Sequence, residues 1–383
     1  MSTTSVPTSC GTNPVVSHGI PIALALRGPI DTGLPADRPD TPGLVDRFGR
    51  VATDLRVSLT DKCNLRCQYC MPEEGIDPLP GQLLLSDGEV CRLVRIGVEL
   101  LGILEVRFTG GEPLLRKGLE GIVATTATLR TWDGTRPDIS LTTNGLGLKH
   151  RAGRLKAAGL NRVNLSMDSA DRDTYARLTR RDRFDDAVAG AAEAARVGLK
   201  PVKLNAVLMP GVNDAGAPDV LMNALVNGYE LRFIEYMPLG PRGRWKRGEI
   251  ITAEDILGLL SGDFVLTARP GSERGASPAE LWDVAPGVYR GVEHPGGSVG
   301  IIASVTRPFC GDCDRTRLTA DGQIRDCLFA TGETDLRAML RGGYSDEEIA
   351  NVWRRAMWGK KPGHGINDPS FLSPDRPMSA IGG

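Results

Sequence analysis

Three cysteines in residues 63–70 have the type and spacing of metal ligands. Cys63, Cys67 and Cys70 form a C-x3-C-x2-C pattern directly after a short apolar strand, Leu55–Leu59, so they lie on a loop where three thiolates can converge. Three thiolates can hold three irons of a cubane iron–sulfur cluster and leave the fourth iron open to a ligand. A structural zinc site usually takes four protein ligands, and no other cysteine or histidine lies nearby. The pattern therefore favours a cluster, with zinc as the alternative.

A second group of three cysteines lies near the other end of the chain. Cys310 and Cys313 form a C-x-x-C pair, and Cys327 follows after 13 intervening residues. The turn residues Ala320-Asp321-Gly322 predict a hairpin that returns Cys327 to the pair. Either a partner completes a zinc site here, or this group holds a second iron–sulfur cluster with an open iron. The presence of the first motif favours the second cluster.

Composition restricts the class of protein. The chain has 383 residues, a net charge of −1 and 41% hydrophobic residues, which suits one large domain with an appendage, or two domains. Near-zero net charge argues against broad nucleic-acid binding. Six of the eight cysteines fall into the two groups, which indicates metal ligation in a reducing compartment rather than disulfides. We find no secretory signal and no apolar run of the roughly 18–20 residues that span a membrane, so we expect a cytoplasmic protein.

Strand and helix patterns alternate from residue 55 to residue 236. Predicted strands cover Leu55–Leu59, Glu105–Thr109, Asp138–Thr142, Arg162–Ser166, Pro201–Leu208 and Leu231–Tyr236. Predicted helices cover residues 86–101, 117–130, 149–158, 184–198 and 214–227. This alternation predicts parallel strands in an α/β barrel or a doubly wound sheet, and the spacing leaves that choice open.

The residues at the ends of these strands are polar, small or charged. Gly110-Gly111 follows the second strand, as a tight turn or as backbone that a ligand can approach closely. Arg56, Arg107 and Lys203 lie within strands, where a charge on a buried face is costly unless it is paired. These side chains either face outward in salt bridges or meet a multiple anion inside the fold. In parallel barrels the carboxyl ends of the strands form the active face.

The two cysteine motifs and their flanking residues together resemble the GTP 3′,8-cyclase family of the radical S-adenosylmethionine (SAM) superfamily. The shared segments include Phe108–Leu114, Leu141–Gly145, the Cys-x-Arg-x-Arg run that starts at Cys313, and a terminal Gly-Gly. The resemblance covers roughly residues 46–383. The long N-terminal extension and an insertion-like Trp132–Pro137 depart from the family pattern, and neither touches a motif.

The resemblance implies an α/β fold with an incomplete TIM-type barrel of about six βα units and a C-terminal extension that carries a second [4Fe-4S] cluster. We therefore expect a disordered tail over residues 1–45 and the partial barrel over 46–240. A cluster and substrate-binding region would cover 241–361, and an extended tail would cover 362–383.

The resemblance also implies an activity. In this family of lyases the first cluster reduces SAM, and the resulting 5′-deoxyadenosyl radical takes the ribose 3′ hydrogen of GTP. The product is (8S)-3′,8-cyclo-7,8-dihydroguanosine 5′-triphosphate, the first intermediate of molybdenum cofactor biosynthesis. The open iron of the second cluster would bind the guanine. Implied partners are GTP, an electron donor and the cyclic pyranopterin monophosphate synthase that receives the product, for a monomer or homodimer without nucleic-acid or membrane partners.

Site residues follow from the matching positions. The resemblance implies cluster ligands at Cys63, Cys67, Cys70, Cys310, Cys313 and Cys327. It implies SAM contacts at Tyr69, Gly111, Ser166 and Met237. It implies GTP contacts at Arg56, Arg107, Thr142, Lys203, Arg315, Thr316 and Arg317. Catalytic roles would belong to Arg56, Arg107, Gly382 and Gly383.

Two other functions fit parts of the pattern. A peptide-modifying radical SAM enzyme would also carry an auxiliary cluster, but that group usually has more C-terminal cysteines than the three present here. A non-catalytic zinc protein with two three-cysteine sites would be colourless and would not bind SAM.

Overall fold

A computed structural model describes residues 30–240, 245–368, 371, 373, 374 and 376–382. Its centre is a set of six parallel strands that pair in chain order. They are β1 Asp54–Ser58, β2 Glu105–Thr109, β3 Asp138–Thr143, β4 Arg162–Ser166, β5 Val202–Val207 and β6 Glu230–Ile234. The connecting helices are α1 Asp87–Arg95, α2 Leu119–Thr128, α3 Leu148–Ala158, α4 Arg172–Thr179, α5 Phe184–Arg196 and α6 Ala217–Asn227. The α/β class with a mostly parallel central sheet is thereby confirmed.

Local sequence signals account for these elements. Ser86 and Glu89 form a capping box at the start of α1, and the helix buries Val90, Leu93 and Val94. All six predicted strands and five predicted helices are present. The helix predicted over 86–101 continues past α1 as a π-helical segment, Ile96–Leu100, and the other ends differ by up to three residues. The sequence pattern does not predict helix α4, because three of its eight residues are charged and its apolar face is short.

The C-terminal part of the chain extends the same sheet at both edges. Strand β11 pairs with β6 in parallel, and β12 pairs with β1 in parallel, to give a sheet of twelve strands. Strands in this part are β7 Leu266–Ala268, β8 Glu280–Val284, β9 Gly287–Tyr289, β10 Val292–His294, β11 Gly297–Ile302, β12 Arg315–Leu318, β13 Gln323–Arg325 and β14 Thr334–Asp335. Helices are α7 Ala253–Ser261, α8 Leu336–Arg341, α9 Asp346–Trp358 and α10 Met378–Ile381. The sheet therefore runs continuously across the domain boundary predicted at residue 240.

Alternation along the strands separates two faces. Leu55 and Val57 of β1 are fully buried in the hydrophobic core. Asp54, Arg56 and Ser58 point to the opposite face, because successive side chains of a strand alternate. This second face carries the polar and charged residues from which the site is built.

Residues 30–45, predicted to belong to a disordered tail, instead pack against α9 and its neighbours. The backbone N–H of Ile30 donates to the Tyr344 hydroxyl over 3.0 Å, and Asp31 pairs with Arg355 at 2.7 Å. Leu44 is fully buried. The polar composition of this segment predicts disorder, because hydrogen bonds to a remote helix leave no signal in the local composition. Residues 1–29 lie outside the described part of the chain.

In the described part of the chain, each helix is too short or too polar to cross a membrane.

Candidate functional site

The first cysteine group lines one cavity at the carboxyl ends of the strands. Cys63, Cys67 and Cys70 are free thiols around an empty volume of about 740 Å3. Burial, and then the nearby Cys63 thiol, raise the pKa of Cys70 to about 12. Burial likewise raises the pKa of Cys67 well above its usual value. Three such thiols become thiolates together only beside a compensating positive centre, so this set suits a metal-bound state.

The arrangement of donors distinguishes a cluster from a single ion. Within the described ranges, no three or more His, Cys, Asp or Glu side chains are grouped so that they would hold one metal ion. Cysteines that hold a cubane bind different irons, whereas zinc ligands converge on one atom. Three cysteines with no fourth cysteine or histidine close by in the sequence therefore fit a cluster better than a structural zinc site.

Gly110 and Gly111 bring the end of β2 against the cysteine loop. The N–H of Gly111 donates to the Thr60 carbonyl over 2.6 Å, and the N–H of Glu112 donates to the Lys62 carbonyl over 2.8 Å. A Cβ on Gly111 would lie 2.3 Å from the Lys62 carbonyl oxygen. Gly111 also lines the cavity, but the close approach that requires glycine here is made by the protein's own backbone.

The buried carboxylate of Glu112 joins the ends of β2 and β3. It accepts hydrogen bonds from the N–H of Leu114 at 2.9 Å, the Thr143 hydroxyl at 2.7 Å and the N–H of Asn144 at 2.8 Å. Burial raises the pKa of Glu112 to about 7 despite these bonds. Asn144 is thereby held with its amide nitrogen 3.9 Å from the sulfur of Cys63. The long-range bonds from Thr143 and Asn144 to Glu112 join separate strands and leave no signal in the local sequence.

Tyr69 is fixed beside the same cavity by a buried carboxylate. Its hydroxyl donates to Asp168 Oδ2 over 2.9 Å, and Asp168 Oδ1 accepts from the N–H of Val207 over 2.9 Å. Burial raises the pKa of Asp168 to about 6. The aromatic ring is therefore held in one orientation between the first cavity and a second, larger one.

The second cavity has an empty volume of about 1290 Å3 and adjoins the first. Residues that line both cavities are Tyr69, Thr142, Ser166, Asp168 and Met378. Five arginines from four strands line the larger one: Arg56, Arg107, Arg232, Arg315 and Arg317. Met237 and the second cysteine group, Cys310, Cys313 and Cys327, line it as well. The structure thus brings together all six predicted cysteine ligands, the predicted SAM contacts and most predicted GTP contacts around one continuous space.

The arginines are only partly neutralised. Asp54 lies 3.3 Å from Arg56 and 3.6 Å from Arg315. Arg107 and Arg317 pair with no carboxylate among the described residues, and burial followed by repulsion from Arg56 lowers the pKa of each to about 9. Buried cations in excess of carboxylates require an anionic partner. Arg groups bind phosphate oxygens in bidentate fashion, so the lumen is suited to a polyphosphate.

Arg232 belongs to this set although the sequence prediction omitted it. It lies on β6 in register with Asn205 of β5, another residue that lines the larger cavity. Burial lowers its pKa. The signal that selected Arg56 and Arg107, a charge inside an apolar strand, is equally present at Arg232 and would have found it.

Two predicted GTP contacts lie elsewhere. Lys203 pairs with Glu230 at 3.0 Å and does not line the cavity. Thr316 is fully buried on the opposite face of β12, where its hydroxyl accepts from the Trp353 indole N–H over 3.0 Å. Its neighbours Arg315 and Arg317 face the cavity, so strand alternation places Thr316 behind it. The side chains of Lys203 and Thr316 therefore do not line the cavity, and their contacts with GTP stay predictions.

Thr316→Val is expected to lower the free energy of unfolding by about 1–3 kcal/mol, because the buried Trp353 N–H loses its acceptor. GTP affinity should stay unchanged. Thr142→Val is the matched control: Thr142 lines both cavities, so its loss should alter ligand binding more than stability. Chemical denaturation and GTP titration of both variants check this, and weaker GTP binding by Thr316→Val at unchanged stability would contradict the structural role.

The C-terminal tail returns to this site. Gly382 has φ +73°, and a Cβ there would lie 2.8 Å from Thr109 Cγ2 and 3.4 Å from Ser58 Cβ. The Arg317 guanidinium donates to the Gly382 carbonyl. Ile381 is fully buried in a small apolar cluster that anchors this end of the chain. The tail thus reaches the strand ends at Gly382. Gly383 lies outside the described residues.

The second cysteine group is assembled as the sequence predicts. Strands β12 and β13 form an antiparallel hairpin in which Arg317 pairs with Arg325, and Cys327 follows two residues later. Burial raises the pKa of Cys310 and Cys327. Burial also acts to raise the pKa of Cys313, but Lys360 and Arg315 outweigh it and the net shift is downward. Lys360 was not among the predicted site residues.

Comparison with known proteins gives consistent matches. The model of the Radical SAM superfamily matches residues 57–222, and the model of Molybdenum Cofactor Synthesis C matches residues 229–366. A protein of Streptomyces coelicolor named GTP 3′,8-cyclase is 60% identical, over 91% of this chain and 98% of that protein. Proteins of the same name from Corynebacterium glutamicum and Mycolicibacterium smegmatis are 59% and 56% identical, over 89% and 96% of this chain and 89% and 99% of theirs.

A solved structure shares the fold. SuiB of Streptococcus suis superposes with a TM-score of 0.54 over 86% of this chain and 77% of SuiB, at 14% identity. Its structure with bound S-adenosylmethionine also gives a TM-score of 0.54, at 13% identity over 86% of this chain and 75% of SuiB. At such low identity the likeness concerns the arrangement of helices and strands alone.

Proposed function

Since the chain belongs to the GTP 3′,8-cyclase family of radical SAM enzymes, we propose that it converts GTP to (8S)-3′,8-cyclo-7,8-dihydroguanosine 5′-triphosphate, the first step of molybdenum cofactor biosynthesis. The observation that carries the proposal is the pair of adjoining cavities. Each has three thiols in its wall, and five arginines line the larger one.

The first cavity is the proposed site of one [4Fe-4S] cluster and SAM. Cys63, Cys67 and Cys70 would hold the cluster, which when bound supplies the electron that cleaves SAM to the 5′-deoxyadenosyl radical. Tyr69, oriented by Asp168, separates this cavity from the larger one. Gly111 and Ser166 line the wall on which SAM would lie. Enclosure keeps water from the radical, which limits side reactions.

The second cavity is the proposed GTP site. Arg56, Arg107, Arg315 and Arg317 would bind the triphosphate, because their charge exceeds that of Asp54. Arg56 and Arg107 would also take part in catalysis by holding the ribose 3′ position against the first cavity. Cys310, Cys313 and Cys327, which line this cavity and not the first, would hold a second [4Fe-4S] cluster. Lys203 would act only through its salt bridge with Glu230.

We further propose that the six parallel strands form an incomplete TIM-type barrel. Side chains from every one of β1 to β6 line the larger cavity, which supports a sheet that curves around a lumen. The predicted regions 46–240 and 241–361 would then be functional divisions of one sheet. An external electron donor and the synthase that takes the cyclised product remain expected partners.

Anaerobic purification followed by iron, sulfide and turnover analysis tests the function. Two cubanes should give roughly eight irons and eight sulfides per chain. Incubation with GTP, SAM and a reductant should yield 5′-deoxyadenosine and a product with the mass of GTP. Stoichiometric zinc and no SAM binding would instead support the zinc protein, and modification of peptides without GTP turnover would support the peptide-modifying alternative.

Cys327→Ser should separate the two cysteine groups. Formation of 5′-deoxyadenosine from SAM should persist, because Cys327 lies outside the first cavity, while GTP binding and cyclised product should be lost. Cys91→Ala is the control, since Cys91 lies in α1 and lines neither cavity. Loss of SAM cleavage with intact GTP binding in Cys327→Ser would mean that the two sites are reversed.

A further inference from the structure

A buried lysine contacts the second cysteine group. Lys360 follows the end of α9 and is 4% exposed. Its Nζ lies 3.0 Å from the Arg315 carbonyl oxygen, 3.1 Å from the Cys313 carbonyl oxygen and 3.4 Å from the Cys313 sulfur. No function proposed so far uses this side chain.

The contacts of Lys360 match the donors of an ammonium group. Each of the three partners is an acceptor, and a lysine ammonium has three N–H donors and no acceptor. Three acceptors therefore face the ammonium in a nearly solvent-free position. A buried charge of this kind is costly unless a negative group lies beside it. A cluster bound through thiolates at Cys310, Cys313 and Cys327 would supply that negative charge.

In the first cysteine group, the described hydrogen bonds to the sulfur of Cys63 come from neutral donors. Cys63 Sγ accepts from the backbone N–H of Leu65 at 3.5 Å and from the Asn144 amide at 3.9 Å, and both donors are neutral. Hydrogen bonds to cluster sulfurs and net charge are the protein's principal controls of iron–sulfur reduction potential. A cationic donor stabilises the more negative, reduced form of a cluster and so raises its potential.

We propose that Lys360 is a positioning residue of the second cluster, which raises the reduction potential of that cluster through its charged hydrogen bond to Cys313 and holds Arg315 in register with it. The proposal rests on the proposed function, because it requires a cluster at Cys310, Cys313 and Cys327. Its bonds to Cys313 and Arg315 join a cluster ligand to an arginine of the GTP site. A single ammonium thus contacts one proposed cluster ligand and holds the backbone of one arginine that lines the GTP site.

A potentiometric titration of the second cluster tests this role. Cys63, Cys67 and Cys70 are changed to alanine so that only the second cluster is present, and Lys360→Gln is added to that protein. The glutamine retains an N–H donor but no charge. We expect a more negative midpoint potential, measured by electron paramagnetic resonance under anaerobic conditions, at unchanged iron content. Lys361→Gln is the matched control, because its neighbouring side chain is exposed, and its potential should equal that of the parent.

The outcomes separate this proposal from the function itself. An unchanged potential in Lys360→Gln with the cluster bound would overturn the role of Lys360 and leave the proposed function intact. Absence of any iron in the parent protein would overturn the second cluster. If Lys360→Gln fails to retain a cluster, Lys360→Arg decides: a bound cluster at the parent potential supports the role of charge. Equal loss of cluster and thermal stability in both variants would show that Lys360 only supports the backbone.

Discussion

Arg107→Met is expected to weaken GTP binding about a hundred-fold, the result of losing a buried charged contact worth about 3 kcal/mol. Arg107 lines the larger cavity, its Nε donates to the Ser140 hydroxyl over 3.2 Å, and no carboxylate among the described residues neutralises it. A triphosphate would therefore be its charged partner. Isothermal titration of the anaerobic protein with GTP measures the change.

The stability of the ligand-free protein should not fall when Arg107 is replaced by Met. Burial, and then repulsion from Arg56, lower the pKa of Arg107 from 12.5 to about 9. The folded chain therefore binds this proton less tightly than the unfolded chain, and the protonated side chain destabilises the fold at pH values below about 9. Arg107→Met should leave the unfolding temperature of the ligand-free protein at pH 7 unchanged or raised. A lowered unfolding temperature with parallel loss of affinity would indicate a structural role instead.

Lys203→Met is the matched control for Arg107→Met. Lys203 lies on a neighbouring part of the same sheet, but Glu230 already neutralises it at 3.0 Å. Its replacement should change GTP affinity much less than replacement of Arg107. A hundred-fold loss of GTP affinity in Lys203→Met would support the direct GTP contact that family resemblance implies. It would contradict the placement of Lys203 outside the cavity wall.

Gly382→Ala is expected to lower the yield of cyclised product about ten- to hundred-fold while both clusters are retained and GTP affinity falls much less than the yield. The new Cβ would lie 2.8 Å from Thr109 Cγ2, so the tail must shift. Arg317, which donates to the Gly382 carbonyl, would shift with it. Displacement of a positioning group by about 1 Å can cost about a hundred-fold in rate. Single-turnover formation of product, compared with formation of 5′-deoxyadenosine, measures the effect.

Gly343→Ala controls for backbone strain. Gly343 has φ +78°, close to the +73° of Gly382, but a Cβ there would meet nothing within 4 Å. Both alanine variants carry a similar conformational penalty, and only Gly382→Ala should reduce product. Equal turnover in the two variants would mean that the tail contributes no geometry to the reaction, despite its place between Ser58 and Thr109.

The layout of the lumen explains why these residues act together. Carboxyl ends of β1, β2, β3 and β4 carry the first cysteine loop, Gly111, Thr142 and Ser166 around the first cavity. Strand β12 adds Arg315 and Arg317 beside Arg56 because it pairs with β1 in parallel, with Arg56 opposite Arg317. The second cysteine group therefore reaches the arginine cluster through sheet pairing. Both cysteine groups accordingly lie on loops that follow paired strands of one continuous sheet.

The sequence by itself determined the local features of this protein. Two groups of three cysteines follow from spacing, and the six parallel strands follow from apolar runs that alternate with helical patterns. The hairpin before Cys327 follows from its turn residues. These features depend on residues close together in the chain, so their signals can be read without knowledge of the rest of the fold.

Only the tertiary structure decided which charged and polar residues serve the site. Arg107 and Lys203 look alike in sequence, yet Glu230 of the next strand neutralises only Lys203. Thr316 differs from Arg315 and Arg317 because its face of β12 packs against Trp353 of a distant helix. Lys360 gains its role from bonds to residues about 45 positions away. The physical reason is that the energy of a buried charge or hydroxyl depends on its partners, and strand register and long-range packing supply those partners.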